Sequence, residues 1–194
     1  MVKLIGKKKI LCAVFISGRG TNLKSIYKFS KKRLSKINIQ LVISSKSNVE
    51  GVKFSRNKKI ITKVINYKKK NISEKKILHY LKVNKIELIC LAGFMKILSK
   101  NFIKKFKNKI INIHPSLLPK YKGLNTHERV IKNKEKFSGC TVHMVNEKLD
   151  SGKIIIQKKV KILKSDTPKK LAKRILLVEN QLYPKAIDKI LSKI

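Results

Sequence analysis

Short apolar runs alternate with lysine-faced amphipathic stretches along the first two thirds of the chain. The apolar runs predict strands at 9–17, 37–44, 63–66, 86–92 and 109–114. The amphipathic stretches predict helices at 22–34, 72–85 and 99–107. Strands and helices that alternate at this spacing favour an α/β fold with a mainly parallel sheet.

The pattern changes in the last third of the chain. Segments 140–146 and 153–162 predict two strands with no room for a helix between them, so we expect them to be antiparallel. The remaining residues predict a closing helix, which Thr167 can cap and which Pro168 suits in its first turn. Pro184 should kink or split this helix.

The apolar run Ile10–Ile16 follows three lysines and superficially resembles a signal peptide. It is too short to span a membrane, and no small-residue cleavage site follows it, so we interpret it as a buried strand of a cytoplasmic protein. Cys12, Cys90 and Cys140 form no CxxC pair and have no zinc-site spacing. They are therefore predicted to be buried free thiols, and no metal is expected.

The formal net charge of +39 would attract polyanions, which raises the possibility of nucleic-acid binding. The excess is almost all lysine, however, and it is spread along the whole chain. Arginine, which commonly reads base edges, is scarce, and the chain has no Trp to stack on bases. The composition therefore favours a solvated lysine surface, with nucleic-acid contact that is at most weak and non-specific.

Three loops that directly follow predicted strands carry the distinctive residues, at 17–22, 92–98 and 112–124. In open parallel sheets, ligands bind where strands end at their carboxyl edge. The hydrophobic content of 42% indicates a globular chain, and no Gly/Ser/Pro-rich linker divides it. We therefore expect one domain over 1–194, with a single cleft formed by these loops.

The first of these loops, "SGRGTN", is rich in glycine and lies between a strand and a helix. It lacks the third glycine of a dinucleotide fingerprint, because Leu23 stands there, and it lacks the GK[ST] of a P-loop. Two interpretations stay open. Either Gly20, Thr21 and Asn22 hold a small phosphate such as a ribose monophosphate, or the loop is a tight turn with Asn22 as the helix cap.

Asn112 and His114 are two residues apart on a predicted strand, so their side chains point the same way while Ile113 points into the core. A carboxamide and a protonated imidazole can together stabilise a developing oxyanion. The imidazole can also move a proton near neutral pH. The alternative is a histidine at the strand end that bonds the loop backbone.

Asp150 lies in a predicted turn, and a carboxylate beside an imidazole raises the imidazole pKa and favours its charged form. The spacing alone does not show that Asp150 reaches His114. Ser116 has no G-x-S-x-G elbow around it, so no covalent intermediate is indicated. His143 is predicted to be structural within a strand. His127 is placed on the helix after the loop and interpreted in the same way, and His79 is placed on the surface.

Five blocks of sequence carry a family resemblance: "SGRGTNL", "LAGFMKILS", "NIHPSLLPKYKGLNTH", "GCTVHMVNEKLDSGKIIIQ" and "VENQLYP". In this order and spacing they resemble phosphoribosylglycinamide formyltransferases over nearly the whole chain. The resemblance implies a Rossmann-like α/β formyltransferase fold over 1–194, as a monomer or weak homodimer. It also implies transfer of a formyl group from 10-formyltetrahydrofolate to the amine of glycinamide ribonucleotide in de novo purine synthesis.

The resemblance also implies site residues. The catalytic group would be Asn112, His114 and Asp150, acting by direct amine attack, oxyanion stabilisation and Asp-assisted proton transfer. The ribonucleotide would contact Gly20, Thr21, Asn22 and Glu179. The folate co-substrate would contact Lys70, Met95, Lys96, Ile97, Leu98 and Asn112.

Two positions depart from many family members, because Arg19 replaces a small or neutral residue and Asn125 replaces a histidine. A methionyl-tRNA formyltransferase would normally add a C-terminal domain, and a formyltetrahydrofolate hydrolase an N-terminal one, for which we expect no room. A nucleic-acid-binding protein would account for the charge and would leave Asn112, His114 and Asp150 unexplained.

Overall fold

A computed structural model describes residues 8–192 of the chain. Its strands are β1 (Ile10–Ile16), β2 (Ile37–Ser44), β3 (Ile61–Val64), β4 (Leu88–Leu91), β5 (Lys109–His114), β6 (Phe137–Met144) and β7 (Ile154–Lys161). Its helices are α1 (Thr21–Ser30), α2 (Glu50–Asn57), α3 (Lys70–Val83), α4 (Lys100–Lys105), α5 (Thr126–Lys132) and α6 (Pro168–Leu191). None of the helices within residues 8–192 is both long enough and apolar enough to cross a membrane.

The seven strands form one sheet in the order β3-β2-β1-β4-β5-β6-β7. The pairs from β3 to β5 are parallel, whereas β6 is antiparallel to both β5 and β7. The predicted mainly parallel sheet with an antiparallel C-terminal section is therefore confirmed. The strand order reverses between β1 and β4, and such a switch point is where open α/β sheets form ligand crevices.

Strand β1 lies in the centre of the sheet and is buried on both faces. Cys12, Val14 and Ile16 pack into the core layer that contains α1 and α6. Ala13 and Phe15 pack into the opposite layer, which contains α3 and α4. A strand covered by helices on both sides needs an unbroken apolar run, and β1 is such a run.

The short helix α2 is not predicted by the sequence pattern, because only Val52 and Phe54 give its eight residues an apolar side. It matters for the site because it supports the first loop. A Cβ atom added to Gly20, whose φ is +70°, would lie 2.8 Å from the Cα of Gly51. Only glycines let the loop and the helix approach so closely.

Helix α6 is continuous from Pro168 to Leu191, so of the two predicted effects of Pro184, a kink or a split, the split does not occur. Proline leaves the carbonyl four residues earlier without its helical donor, and here that carbonyl belongs to Asn180. The hydroxyl of Ser25 on α1 donates to it, which replaces the missing backbone hydrogen bond. The predicted start is confirmed, because Thr167 accepts from the backbone N–H of Lys170 at 3.2 Å.

Other boundaries differ by a few residues from the sequence prediction. Strand β3 ends at Val64 instead of 66, and helix α1 ends at Ser30, before a lysine-rich stretch. Strand β6 begins at Phe137, three residues earlier than predicted, because its pairing with β7 starts there. The ladder with β7, rather than the apolar pattern, sets where β6 begins.

Candidate active site

A cavity of about 780 Å³ lies beside the carboxyl ends of β4 and β5. The loop after β4, the end of β5, residues 123–128, the segment 143–150 and the start of α6 form its walls. Seven residues predicted to carry catalysis or folate binding line it: Met95, Lys96, Ile97, Leu98, Asn112, His114 and Asp150. The remaining predicted residues lie outside its walls: Gly20, Thr21, Asn22, Lys70 and Glu179.

Asn112 and His114 lie at the end of β5 with side chains on the same face, as the two-residue spacing predicts. The antiparallel register places Asn112 opposite His143 on β6, and the Asn112 Nδ2 lies 3.3 Å from the His143 Nε2. Between them Ile113 is buried in the core layer that contains α1 and α6. The strand pairing thus sets an amide beside an imidazole in the cavity wall.

His114 is only 5% exposed and has a partner at each ring nitrogen. Its Nε2 lies 2.8 Å from the carbonyl oxygen of Tyr121, so this nitrogen donates to the loop backbone. Its Nδ1 lies 3.3 Å from the Oδ2 of Asp150. His114 therefore has both of the partners that the sequence left as alternatives, a backbone carbonyl and a carboxylate.

Asp150 is held by groups from two other segments. Its Oδ2 accepts from the backbone N–H of Gly123 at 2.9 Å, and its Oδ1 lies 3.6 Å from the His143 Nε2. Its backbone has φ +45°, a left-handed conformation that Asp tolerates better than most residues. A Cβ added to Gly152 would lie 1.7 Å from the Met144 carbonyl oxygen, so the turn after Asp150 requires glycine.

These contacts set the charges of the site. Burial lowers the pKa of His114 below its ordinary value, although the Tyr121 carbonyl and the Asp150 carboxylate oppose the shift. Burial on its own would raise the pKa of Asp150, but the His143 ring, the Gly123 N–H and nearby His114 together hold it below the ordinary value. Asp150 does favour the imidazolium, as predicted, but burial outweighs it, so the site favours a carboxylate beside a neutral imidazole near pH 7.

Two further histidines line the cavity, although the sequence pattern indicates only structural roles for them. His143 is 2% exposed, and its Nδ1 donates to the Met144 carbonyl oxygen at 2.8 Å. The Nδ1 of His127 is buried and has no hydrogen-bond partner among the described residues. Finding His143 from sequence would require the β5–β6 register, because only that register places it opposite Asn112.

Asn22 and Glu179 form a second polar pair, in which the Asn22 Nδ2 donates to the Glu179 Oε2 at 2.9 Å. Gly20 occupies the cap position of α1, so the alternative in which Asn22 caps the helix is wrong. Burial raises the pKa of Glu179, and the hydrogen bond from Asn22 offsets this only in part. The Oδ1 of Asn22 is buried without a partner among the described residues, so an acceptor is free here.

The first loop is tied to the cavity wall through Ser17, whose Oγ accepts from the backbone N–H of Met95 at 2.9 Å. Arg19 is exposed in the same loop, and Lys70 is exposed at the first turn of α3. Asn125 occupies the cap position of α5 with φ +55° and lines the cavity. Of the two departures, Asn125 therefore lies in the cavity wall and Arg19 lies outside it.

The three cysteines are buried and free, as predicted. Cys12 and Cys90 lie on neighbouring strands with their Sγ atoms 3.5 Å apart. Burial, together with the nearby charge of Glu179, raises the pKa of Cys140 to about 12, so this thiol is a poor nucleophile at neutral pH. Within residues 8–192, no group of three or more His, Cys, Asp and Glu side chains is placed to hold a metal ion.

The family model of the formyl transferases matches residues 9–187, and the chain belongs to this family. Two relatives that match it over most of both lengths are phosphoribosylglycinamide formyltransferases. The one from Haemophilus influenzae is 42% identical over 93% of this chain and 85% of its own length. The crystal structure of the one from Brucella melitensis is 39% identical, with a TM-score of 0.89 over 94% of this chain and 96% of that one. The resemblance predicted from the five sequence blocks is confirmed.

The chain also matches part of a much longer protein. It is 41% identical to the trifunctional purine biosynthetic protein adenosine-3 of Gallus gallus over 97% of this chain. The match spans only 19% of that relative's length. The similarity therefore concerns one section of a larger polypeptide in this case, and most of a shorter enzyme in the bacterial ones.

Proposed function

We propose that this chain transfers the formyl group of 10-formyltetrahydrofolate to the amine of glycinamide ribonucleotide. The observation that carries the proposal is the convergence of Asn112, His114 and Asp150 in one cavity of a formyl transferase. The bacterial relatives that match over most of their length are named for this ribonucleotide, which supports the choice of acceptor.

In the proposed reaction the neutral substrate amine attacks the formyl carbon, and negative charge grows on the formyl oxygen. Asn112 carries two amide hydrogens on Nδ2, so one can face His143 while the other donates to the oxyanion. Loss of one such donor typically costs about 3 kcal/mol of transition-state stabilisation, or ~100-fold in rate. Placing the two substrates side by side supplies another large share of the acceleration.

His114 moves the proton in this scheme. The neutral ring keeps its hydrogen on Nε2, which leaves a lone pair on Nδ1 beside the Asp150 carboxylate. A proton released from the attacking amine, directly or through water, converts that unfavourable contact into an ion pair. The same proton then passes to the leaving folate nitrogen, so the products are the formamide and tetrahydrofolate with no covalent enzyme intermediate. The imidazolium that forms in between lies next to the oxyanion and stabilises it.

The two substrates would occupy adjoining regions. The backbone of Met95, Lys96, Ile97 and Leu98 would contact the pterin, and Lys70 would contact the folate further out. The ribonucleotide would contact Gly20, Thr21, Asn22 and Glu179, and it would donate to the Asn22 Oδ1, which has no partner within residues 8–192. The bond between Ser17 and Met95 links the two regions.

Several broader predictions accompany this proposal. We expect residues 1–194 to act as a single domain, in the cytoplasm, as a monomer or weak homodimer. Both proposed substrates are anionic, and a lysine-rich surface should speed their encounter with the enzyme. Nucleic acid should bind only weakly, with strong salt dependence and no sequence preference.

The experiment that tests the proposal supplies 10-formyltetrahydrofolate and compares glycinamide ribonucleotide, initiator methionyl-tRNA and water as acceptors. Tetrahydrofolate release should depend on the ribonucleotide and should fall ~100-fold in Asn112→Ala. Equal release with water alone would make the protein a hydrolase. Tetrahydrofolate release that depends on the tRNA would mean that the acceptor is initiator methionyl-tRNA and not the ribonucleotide.

A further inference from the structure

We infer that Arg129 is a positioning residue, which clamps the loop 121–124 and thereby holds His114 and Asp150 in their reactive arrangement. The inference goes beyond the residues that the family resemblance assigns. Its effect on rate rests on the proposed function, whereas its effect on the loop does not.

The loop 121–124 is the common support of both side chains. The carbonyl oxygen of Tyr121 accepts from the His114 Nε2 at 2.8 Å. Two residues later, the backbone N–H of Gly123 donates to the Asp150 Oδ2 at 2.9 Å. A shift of this short segment would therefore move the partners of the imidazole and of the carboxylate together.

The backbone conformation of the loop and of Asn125 after it is not intrinsically favoured. Tyr121, Gly123 and Asn125 all have left-handed backbone angles, with φ +56°, +78° and +55°. For residues other than glycine this conformation costs roughly 1–2 kcal/mol each, and it persists only where surrounding contacts impose it. Contacts from outside the loop are therefore needed to keep the Tyr121 carbonyl and the Gly123 N–H in place.

Arg129 on α5 supplies such contacts from the outer side of the loop. Its Nη1 donates to the carbonyl oxygen of Lys122 at 2.7 Å and lies 3.4 Å from that of Leu124. Its guanidinium carbon lies 5.3 Å from the centre of the Tyr121 ring, within range of a cation–π interaction. The planar guanidinium thus contacts three residues of the four-residue loop, which an ammonium group could not do equally well.

Tyr121 has a second anchor, because its hydroxyl donates to Glu135 at 2.9 Å and accepts from Asn133 at 3.0 Å. That anchor holds the Tyr121 ring, whereas the carbonyl oxygens of Lys122 and Leu124 are contacted by Arg129. Removing Arg129 should therefore loosen the loop around Gly123 without unfolding the protein, since the Arg129 side chain is exposed.

Arg129 could also act through charge alone, and the test has to separate this from clamping. Among the residues that the structure describes, four charged or titratable groups face His114: Asp150, His143, His127 and Arg129. Asp150 raises the pKa of His114, whereas the Arg129 charge lowers it, after the larger effect of burial. A purely electrostatic role would survive replacement by another cation, but a clamp would not.

The experiment compares Arg129→Lys, which keeps the charge, with Arg129→Met, which keeps the length and removes both charge and donors. We expect the turnover number of Arg129→Met to fall ~10- to 100-fold, the scale of a misplacement of about 1 Å. Arg129→Lys should rescue only part of it, with smaller changes in the Michaelis constants. Amide hydrogen exchange at Gly123 should be faster in both variants without substrate.

Arg174→Met is the matched control, because Arg174 also donates to a backbone carbonyl, that of Lys161 at 3.0 Å, in another part of the fold. It should leave turnover and Gly123 exchange unchanged. Normal turnover and Gly123 exchange in Arg129→Lys, with Arg129→Met shifting only the pH profile of His114, would overturn the clamp in favour of charge. Normal behaviour of both variants would overturn the inference altogether.

The outcomes for the clamp and for the proposed function can be told apart. Thermal unfolding shows whether Arg129→Met is folded, and if it is not, the Lys variant decides the question. Faster Gly123 exchange in a protein that does not formylate the ribonucleotide would leave the clamp standing and remove the proposed function. If the wild type formylates the ribonucleotide but Gly123 amide exchange is unchanged in the variants, the proposed function stands and the clamp is refuted.

Discussion

Asp150 and Glu179 are both buried carboxylates, yet their surroundings move their pKa values in opposite directions. Against the cost of burial, Asp150 has the Gly123 N–H and the rings of His114 and His143 around it, so its pKa is lowered. Within residues 8–192, Glu179 has only the amide of Asn22 as a hydrogen-bond donor, so burial dominates and its pKa is raised. The surroundings of each group, rather than the carboxyl itself, decide which one is the firmer anion.

This difference suggests separate tasks for the two carboxylates. Asp150 already has its partners and is poised to stabilise a cation that appears on His114 during the reaction. In the described part of the chain, Glu179 accepts one hydrogen bond, from Asn22, and the Asn22 Oδ1 has no partner. A ligand that brings hydroxyl or amine donors would satisfy both groups, so we expect Glu179 to act in binding and Asp150 in turnover.

The largest effect is expected from Asp150→Asn. Asparagine tolerates the left-handed backbone at this position, so the change removes the charge and keeps the local fold. The pKa of His114 should fall further, because its one anionic neighbour is lost. Turnover should drop ~100-fold or more, as for loss of general acid–base help, with smaller changes in substrate binding.

Steady-state kinetics together with NMR titration of His114 would check this prediction. Asp188→Asn, an exposed aspartate on α6, is the control and should behave as wild type. An unchanged His114 pKa with near-normal turnover would reduce Asp150 to a turn residue.

A smaller effect is expected from Asn22→Ala and Glu179→Ala. Each removes one side of a pair that we assign to the ribonucleotide, and a hydrogen bond to a charged group is worth about 1.5–3 kcal/mol. The Michaelis constant for the ribonucleotide should therefore rise ~10-fold or more, with that for the folate nearly unchanged. An effect confined to the folate would mean that the two half-sites are reversed.

The stability of α6 around Pro184 should depend measurably on Ser25. Ser25→Ala removes the donor to the Asn180 carbonyl and should cost about 1 kcal/mol in the free energy of unfolding. In a Pro184→Ala background the new backbone N–H can bond that carbonyl, so the same change should cost less. Urea unfolding of the four proteins measures the coupling, with Ser30→Ala on the same helix as control. Equal costs in both backgrounds would refute the replacement of the missing helix bond by Ser25.

The smallest effect concerns stability against pH. A carboxyl group whose pKa is raised in the folded state binds more protons folded than unfolded, so its contribution falls as pH rises from the unfolded value of ~4.3 through the folded one. Glu179→Gln should therefore be more stable than wild type near pH 7, with the difference vanishing below pH ~4.3.

The pH dependence of the stability contributed by Asp150 has the opposite sign, because its pKa is lowered in the folded state. Its contribution is present above the unfolded value of ~3.9 and is lost as pH falls through the folded value, so Asp150→Asn should be less stable near neutrality. Thermal unfolding between about pH 2 and 8 would show both trends, because the Asp150 trend falls below its unfolded pKa of ~3.9, with Glu128→Gln as an exposed control. Parallel curves for the two variants would contradict the contrast between the carboxylates.

Several parts of this fold could be predicted from the sequence because their causes are local. The apolar run of β1 predicts a buried strand, and Thr167 with Pro168 predicts the start of α6, in each case from a few neighbouring residues. Helix α2 cannot be predicted in this way, because its eight residues are too few to show the apolar period of a helix. The close contact between Gly20 and Gly51, which places α2 against the first loop, is a tertiary feature that the local sequence does not show.

The candidate site divides in the same way. The shared face of Asn112 and His114 follows from the strand period alone. The meeting of His114 with Asp150 depends on a left-handed turn and on the Gly123 N–H, and the place of His143 depends on the β5–β6 register. Asn22 and Glu179 are 157 residues apart, so no local pattern could join them without the family resemblance.

The most direct test of the account follows the formyl carbon itself. Wild type and Asp150→Asn would be given glycinamide ribonucleotide and 10-formyltetrahydrofolate labelled with ¹³C at the formyl group, and the products followed by NMR. The account predicts that the label appears as a formamide on the ribonucleotide amine, quickly with wild type and ~100-fold or more slowly with the variant. Label that appears as free formate, or on the ribonucleotide at the same rate with both proteins, would contradict it.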